Sequence, residues 1–266
     1  MKKLFFLFAV STILFSCSND NSNTAATDSI KKVIFYRNSP DARQWNFSND
    51  LLTSITLLDG TLVEAFTYDI QKRLVKDVKY TNGVATETND IVYNTNNTIK
   101  SINGLEYTYE AATQTYAYSY SGTFSMTCQV NSDQLALNYS RTGTDAKEYH
   151  FAYTNGNMTS FEKVTNGTTE VLKNFHFEST LYGNPIASAV LPVARVKSLL
   201  DPDFFIDGQA SKSIPVGFDR GASDPYYYNY GMVIGENKYF SVGIEVLDNN
   251  NDVDFIQFAE YYYQAQ

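Results

Sequence analysis

The sequence predicts an all-β protein: an antiparallel meander of roughly a dozen strands forming a curved sheet or small barrel, with a short helical insertion near 186–200. Apolar and aromatic residues alternate with polar ones at a period of two from about residue 31 to 178, as at Phe66/Tyr68, Tyr107/Tyr109 and Tyr149/Phe151/Tyr153. Four Asn-Gly pairs, at 82–83, 103–104, 155–156 and 166–167, stand between the alternating runs and supply the positive φ values of tight hairpins. The alternation breaks only once, in "NPIASAVLPVARVKSLLDP" at 184–202, where Ile186, Val190, Val193 and Val196–Leu200 approximate helical spacing.

The N-terminus reads as an address. Met1-Lys2-Lys3 precedes an apolar run from Leu4 to Phe15, the layout of a secretory signal peptide at 1–16. The run is too short to span a membrane, which takes ~20 apolar residues. Leu14-Phe15-Ser16-Cys17 resembles the lipobox of bacterial lipoproteins, with Phe15 departing from the residue commonest at its position. That resemblance implies lipidation of Cys17 and anchoring in the outer membrane. Ser18 and the single acidic Asp20 after that cysteine resemble a surface-export signal of some bacteria, which favours display on the cell surface over the periplasmic face. Residues 17–30 then form a polar tether with almost nothing to bury. Within it, Asp28-Ser29-Ile30 is similar to a short acceptor motif for O-glycosylation on Ser29.

Residues 31–266 are expected to form a single β-rich domain: the meander to 178, the helical linker at 184–202, and C-terminal hairpins over 213–263. Within the meander runs a loose repeat of strand, Asx-rich turn, strand. Tyr68 lies six positions before Leu74, Tyr93 six before Ile99, and Tyr153 five before Met158. The aromatic ends one strand, the Asx residue shapes the turn, and the aliphatic returns to the same core. Pro192 is expected to kink or split the helix. Short helical turns there would cap the sheet or plug its interior.

Composition narrows the partners. Removing residues 1–16 takes Lys2 and Lys3 away and leaves 18 basic residues against 29 acidic ones. Such a surface does not suit nucleic acid, whose phosphates call for Lys/Arg stripes. It suits anionic lipid no better, so Cys17 is the expected membrane contact. Cys128 alternates with Phe124, Met126 and Val130 on the apolar side of a strand and reads as a small buried hydrophobe.

No catalytic motif emerges: there is no nucleophile elbow, phosphate-cradling glycine loop or zinc-binding cysteine pair. His150 and His176 are too few for a His-rich metal site. Asp248, Asn250, Asp252 and Asp254 alternate as at the start of a calcium loop, but lack its mid-loop glycine and closing Glu. An acidic hairpin turn explains the same letters, so calcium is the sole cofactor candidate and no other is expected. Tyrosine is over-used at 21 residues, and it suits both half-buried strands and sugar-stacking platforms. Tyr227 and Tyr262, the middle rings of two triplets, and Tyr118 in "YAYSY" are the ligand-binding candidates. For Tyr118 register decides: an odd-length loop puts its row beside Phe124 and Met126, and the hydrophobic pattern favours that.

Taken together, the lipobox ending at Cys17, the Tyr-Asx units at 68–69 and 93–94, "YTNGNMTSF" at 153–161 and "YGNPI" at 182–186 are similar to a family of bacterial lipoproteins. That family carries a domain of unknown function described as porin-like. The Tyr-Asp phrases also resemble those of YD-repeat shell proteins, without their glycine pattern. The resemblance implies a curved antiparallel sheet or small barrel and brings no catalytic residues with it. The favoured function is a non-catalytic binding module for a glycan or an envelope protein. A structural envelope lipoprotein without a small-molecule ligand is the alternative, and a glycoside hydrolase comes third. Lys and Asp on the strands and a polar terminus do not suit a transmembrane barrel.

Overall fold

The computed structural model describes residues 29–263 other than 38, 121–123, 144–145, 178–182, 206–207, 216, 221–226, 235–238 and 248–252. For residues 205, 227–234, 239–247, 253–258 and 263 the description covers the backbone alone.

The first arm of the meander comprises β1 (Ile30–Phe35), β2 (Arg43–Ser48), β3 (Leu51–Thr56), β4 (Leu62–Tyr68), β5 (Leu74–Thr81), β6 (Val84–Tyr93), β7 (Ile99–Ile102) and β8 (Leu105–Glu106). The second begins with β9 (Thr108–Glu110), β10 (Thr115–Tyr120), β11 (Phe124–Val130), β12 (Ala136–Arg141), β13 (Lys147–Thr154), β14 (Asn157–Thr165) and β15 (Thr168–His176). A helix, α1 (Ala187–Leu200), a 3-10 turn at Pro202–Phe205, and β16 (Gly217–Asp219), β17 (Tyr227–Ile234), β18 (Tyr239–Leu247) and β19 (Val253–Tyr263) complete it. The expected C-terminal strands are therefore in place. The described strands outnumber the expected dozen partly because short pieces such as β7, β8 and β9 leave too few letters to show alternation.

Described pairings are antiparallel and, with one exception, join chain neighbours. The exception joins β1 to β19, in the register Val33↔Tyr261 and Phe35↔Ala259. The ladder thus runs from β8 back to β1, across to β19, and down to β9. Its ends, β8 on β7 and β9 on β10, are separated along the chain by Tyr107 alone, and no ladder pairing joins them. The sheets form a curved wrap and do not close into a barrel.

The four Asn-Gly pairs behave as their chemistry dictates. Both residues of each take positive φ, for example +51° and +76° at Asn82-Gly83 and +54° and +81° at Asn155-Gly156. Register likewise follows the hydrophobic pattern. Tyr116, Tyr118 and Tyr120 oppose Cys128, Met126 and Phe124, the odd-loop arrangement.

Helix α1 lies inside the wrap. It packs against β3 and β5 of one arm and β12 of the other, and its buried residues join the strands in one hydrophobic cluster. The helix forms because Ala189, Val190, Val193, Ala194, Val196 and Leu199 present an apolar face that the concave sheet covers. Asn184 starts it: its Oδ1 accepts the Ile186 N–H at 3.2 Å, while its Nδ2 donates to the Gln209 and Ser211 carbonyls. Pro192 does not split it, contrary to expectation, and α1 runs 14 residues through that position. Burial of Val190, Val193 and Val196, each at 0% exposure, outweighs the single backbone hydrogen bond that proline forgoes. Cys128 also meets the helix, its Sγ 3.3 Å from the Ser198 carbonyl in the core.

Candidate functional site

One end of the wrap is built from a recurring five-residue turn. In 69–73, 94–98 and 131–135 the first N–H donates to the fifth carbonyl, and the fourth N–H to the first carbonyl. The fourth residue takes positive φ each time, at Lys72 (+61°), Asn97 (+65°) and Gln134 (+64°). Asx side chains brace the loops: Asp69 Oδ1 accepts the Gln71 and Arg73 N–H groups, and Asn131 Oδ1 accepts those of Asp133 and Leu135. Tyrosines then tie neighbouring units together. Tyr68 donates to the Leu52 carbonyl and Tyr93 to the Leu74 carbonyl at 2.9 Å. Tyr116 Oη accepts the Ile99 N–H at 3.3 Å.

The repeat was legible at Tyr68 and Tyr93. Tyr153–Met158 is instead a two-residue Asn-Gly hairpin, and the third true unit sits at Asn131, where Val130 replaces the tyrosine. The spacing Val130–Ala136, six residues as in the other units, is the signal that could have found it.

Between these turns and α1 opens a cleft of about 540 Å³, lined by Gln71, Arg73, Leu74, Tyr93, Asn96, Asn97, Thr98, Gln134, Pro192 and Arg195. Arg73 is held rigidly: its guanidinium pairs with Asp69 at 2.7 Å, donates to Asn97 Oδ1 at 2.9 Å, and lies 4.6 Å from the Tyr93 ring centre. Arg195 donates through Nε to the Asp133 carbonyl at 2.9 Å. The lining holds two guanidinium groups and several amides, and no carboxylate. Such a surface can bind polar ligands.

In the core, Lys197 bridges α1 to β4 and β5. Its Nζ reaches Glu64 Oε1 at 2.5 Å and Asp77 Oδ2 at 2.8 Å, with side-chain exposures of 1%, 5% and 0%. Burial is the largest influence on Glu64. Lys197 opposes it and Asp77 reinforces it, so the carboxyl is pushed up from 4.5 to about 7. Burial lowers the Lys197 ammonium too, but Glu64 and Asp77 together outweigh it and hold its pKa above 10.5. Asp77 Oδ1 is buried without a donor among the described residues. A protonated Glu64 beside it is the donor that fits.

Of the residues singled out from sequence, Tyr118 and Tyr262 lie on separate strands, β10 and β19. Tyr118 is half-buried, with Tyr107 5.0 Å and Phe124 5.5 Å away between ring centres. Tyr262 donates to Glu260 and accepts from Arg37, each at 2.7 Å, under the Lys32 ammonium. Tyr227 stands opposite Leu247 in β17, and Asp254 opposite Val246 in β19; their side chains lie outside the description. Asp248, Asn250, Asp252 and Cys17 fall among residues that are not described. The histidines sit on different strands, β13 and β15, in polar pairs, His150 with Glu148 at 3.2 Å and His176 with Asp219 at 2.8 Å. Among the described residues no group of three or more His, Cys, Asp or Glu could hold a metal ion, and no helix is long and apolar enough to cross a membrane.

Arg73, Asn97, Gln134 and Arg195 were missed because each reads as ordinary turn or helix-surface polarity. Only the fold assembles them.

An open β-wrap around one helix, with a donor-lined cleft at its turn end, is the class of protein that fold and site define. No family model matches the chain, and no curated protein matches it. Among solved structures it is similar to a porin-like protein from Bacteroides uniformis ATCC 8492, at 8% identity over 88% of this chain and 98% of that one, with a TM-score of 0.36. It is also similar to a porin-like protein from Bacteroides vulgatus ATCC 8482, at 12% identity over 90% and 100%, with a TM-score of 0.35.

Proposed function

We propose that this protein is a non-catalytic binding module, anchored to the outer membrane through acylated Cys17 and carried on a tether at the cell surface, whose turn-end cleft binds a glycan. The observation that carries the reading is the cleft of about 540 Å³, faced by amides, guanidinium groups and the Tyr93 ring and free of carboxylates. Its size suits a small ligand or a terminal saccharide unit. Amide side chains suit hydroxyl-rich ligands, since each offers donors and an acceptor. The absence of acids from the lining favours binding over cleavage.

A glycan array probed with the full-length chain tests this. Binding is expected, and it should weaken when Arg195 or Gln71 is replaced by Ala while Tyr227→Ala leaves it unchanged. Binding that survives both cleft variants would place the site elsewhere, and an array without hits would sink the glycan reading. Radiolabelled palmitate incorporated by the parent and not by Cys17→Ala checks the anchor.

A further inference from the structure

Three of the four amides lining the cleft are held through their oxygens, each by a group that donates to it. Arg73 has no acceptor atom, so Asn97 must offer it Oδ1, at 2.9 Å. The Thr98 N–H and hydroxyl, at 3.2 and 2.7 Å, claim Asn96 Oδ1 in the same way. Tyr116 Oη already accepts the Ile99 N–H, so its own proton goes to Gln134 Oε1 at 2.9 Å. Each of these three amide oxygens therefore already accepts from the protein, and Asn96 Oδ1 accepts twice; Gln71 is the fourth amide of the lining. What remains for a ligand are the Nδ2 groups of Asn96 and Asn97, Nε2 of Gln134, and the Nη groups of Arg195, whose Nε alone is occupied.

Donors outnumber the acceptor positions left in such a set, which favours a ligand that accepts without donating. A carboxylate brings about four acceptor positions and no donor. It would also meet Arg195 in a charge-assisted, two-pronged pairing. The chain's net charge of −9 repels anions in general, so an anion held here is selected by local geometry.

We infer that the cleft selects an acidic saccharide, its carboxylate seated against Arg195 and the Asn96, Asn97 and Gln134 amide N–H groups. This rests on the glycan reading above and adds to it the class of sugar.

The test is an array of uronate- and sialate-bearing glycans, their methyl esters and neutral glycans, probed with the full-length chain, with calorimetry on the best hit. The acidic glycan should bind about tenfold or more tightly than its methyl ester, as loss of a charge-assisted pair implies. Arg195→Gln should erase that difference without moving the thermal midpoint, since Arg195 is exposed, and Arg195→Lys should keep part of it. Equal binding of acid and ester overturns the acidic-ligand inference and leaves the glycan reading standing. Equal binding of free acetate and the acidic glycan overturns its saccharide part. No binding of any saccharide overturns both.

Discussion

Lys197 Nζ lies 2.8 Å from Asp77 Oδ2, both side chains almost wholly removed from solvent, and this contact fixes the inner helix to the fifth strand. With Glu64 it makes a buried group of one cation and two carboxyls, in which the helix supplies the positive partner.

Replacing Lys197 with Met leaves two carboxyls buried without a counter-charge. Loss of about 3–5 kcal/mol of unfolding free energy is expected in urea melts, the range for breaking a buried pair from one side. The triple variant with Glu64→Gln and Asp77→Asn should recover much of that loss. A single variant no less stable than the parent would show that the contact does not hold the helix.

Glu64 makes stability depend on pH with an unusual sign for a carboxylate. Its pKa is raised from 4.5 to about 7, so between these values the folded state holds more proton than the unfolded one. Its stabilising contribution is complete below about 4.5 and is lost as pH rises through about 7. Asp201, raised by burial and Asp203 to about 6, adds in the same direction, while Asp59 and Asp69, lowered from 3.8, oppose it only at more acid pH. The urea midpoint should be higher at pH 5 than at pH 7.5, by an amount on the order of 1–3 kcal/mol. Glu64→Gln should flatten the slope.

The turns at the cleft end are expected to tolerate exchange of one Asx residue for the other. Asp69→Asn should keep the 69–73 loop, because Asn holds the same first position in 94–98 and 131–135. Asp69→Ala loses the acceptor for two backbone N–H groups and for Arg73, costing about 1–2 kcal/mol in a thermal melt. It should also weaken any ligand held in the cleft, by releasing Arg73 from its place over Tyr93.

Burial pushes the Cys128 thiol from 9.0 up to about 12. Native protein should resist a thiol reagent at pH 8, and labelling should begin only with the unfolding transition. Rapid labelling at full fold would mean that the inner helix leaves the wrap easily.

Hairpins and register were readable because they depend on neighbours in the chain. The Asn-Gly pairs fix turns locally, and the row from Phe124 to Val130 sets which way Tyr118 faces. The site was not readable, because Arg73 and Arg195 stand 122 positions apart and meet only once the helix enters the wrap. Lys197 carried a faint signal of its own: a charge between Val196 and Leu199, on a face otherwise apolar, calls for partners that sequence cannot name. The Tyr-Asx repeat marked the right end of the molecule, yet the turn letters that line the cleft also describe any solvated loop.

The pairing of β1 with β19 sets the order in which the wrap can assemble. Nearly every other strand meets its partner within one hairpin, so most of the ladder can zip locally. Strand β1 finds β2 early, but its second edge waits for residues 259–263. Until they arrive, the Val33–Phe35 backbone offers an unpaired edge to any neighbouring chain, so a protein lacking its last strand is the form most open to aggregation.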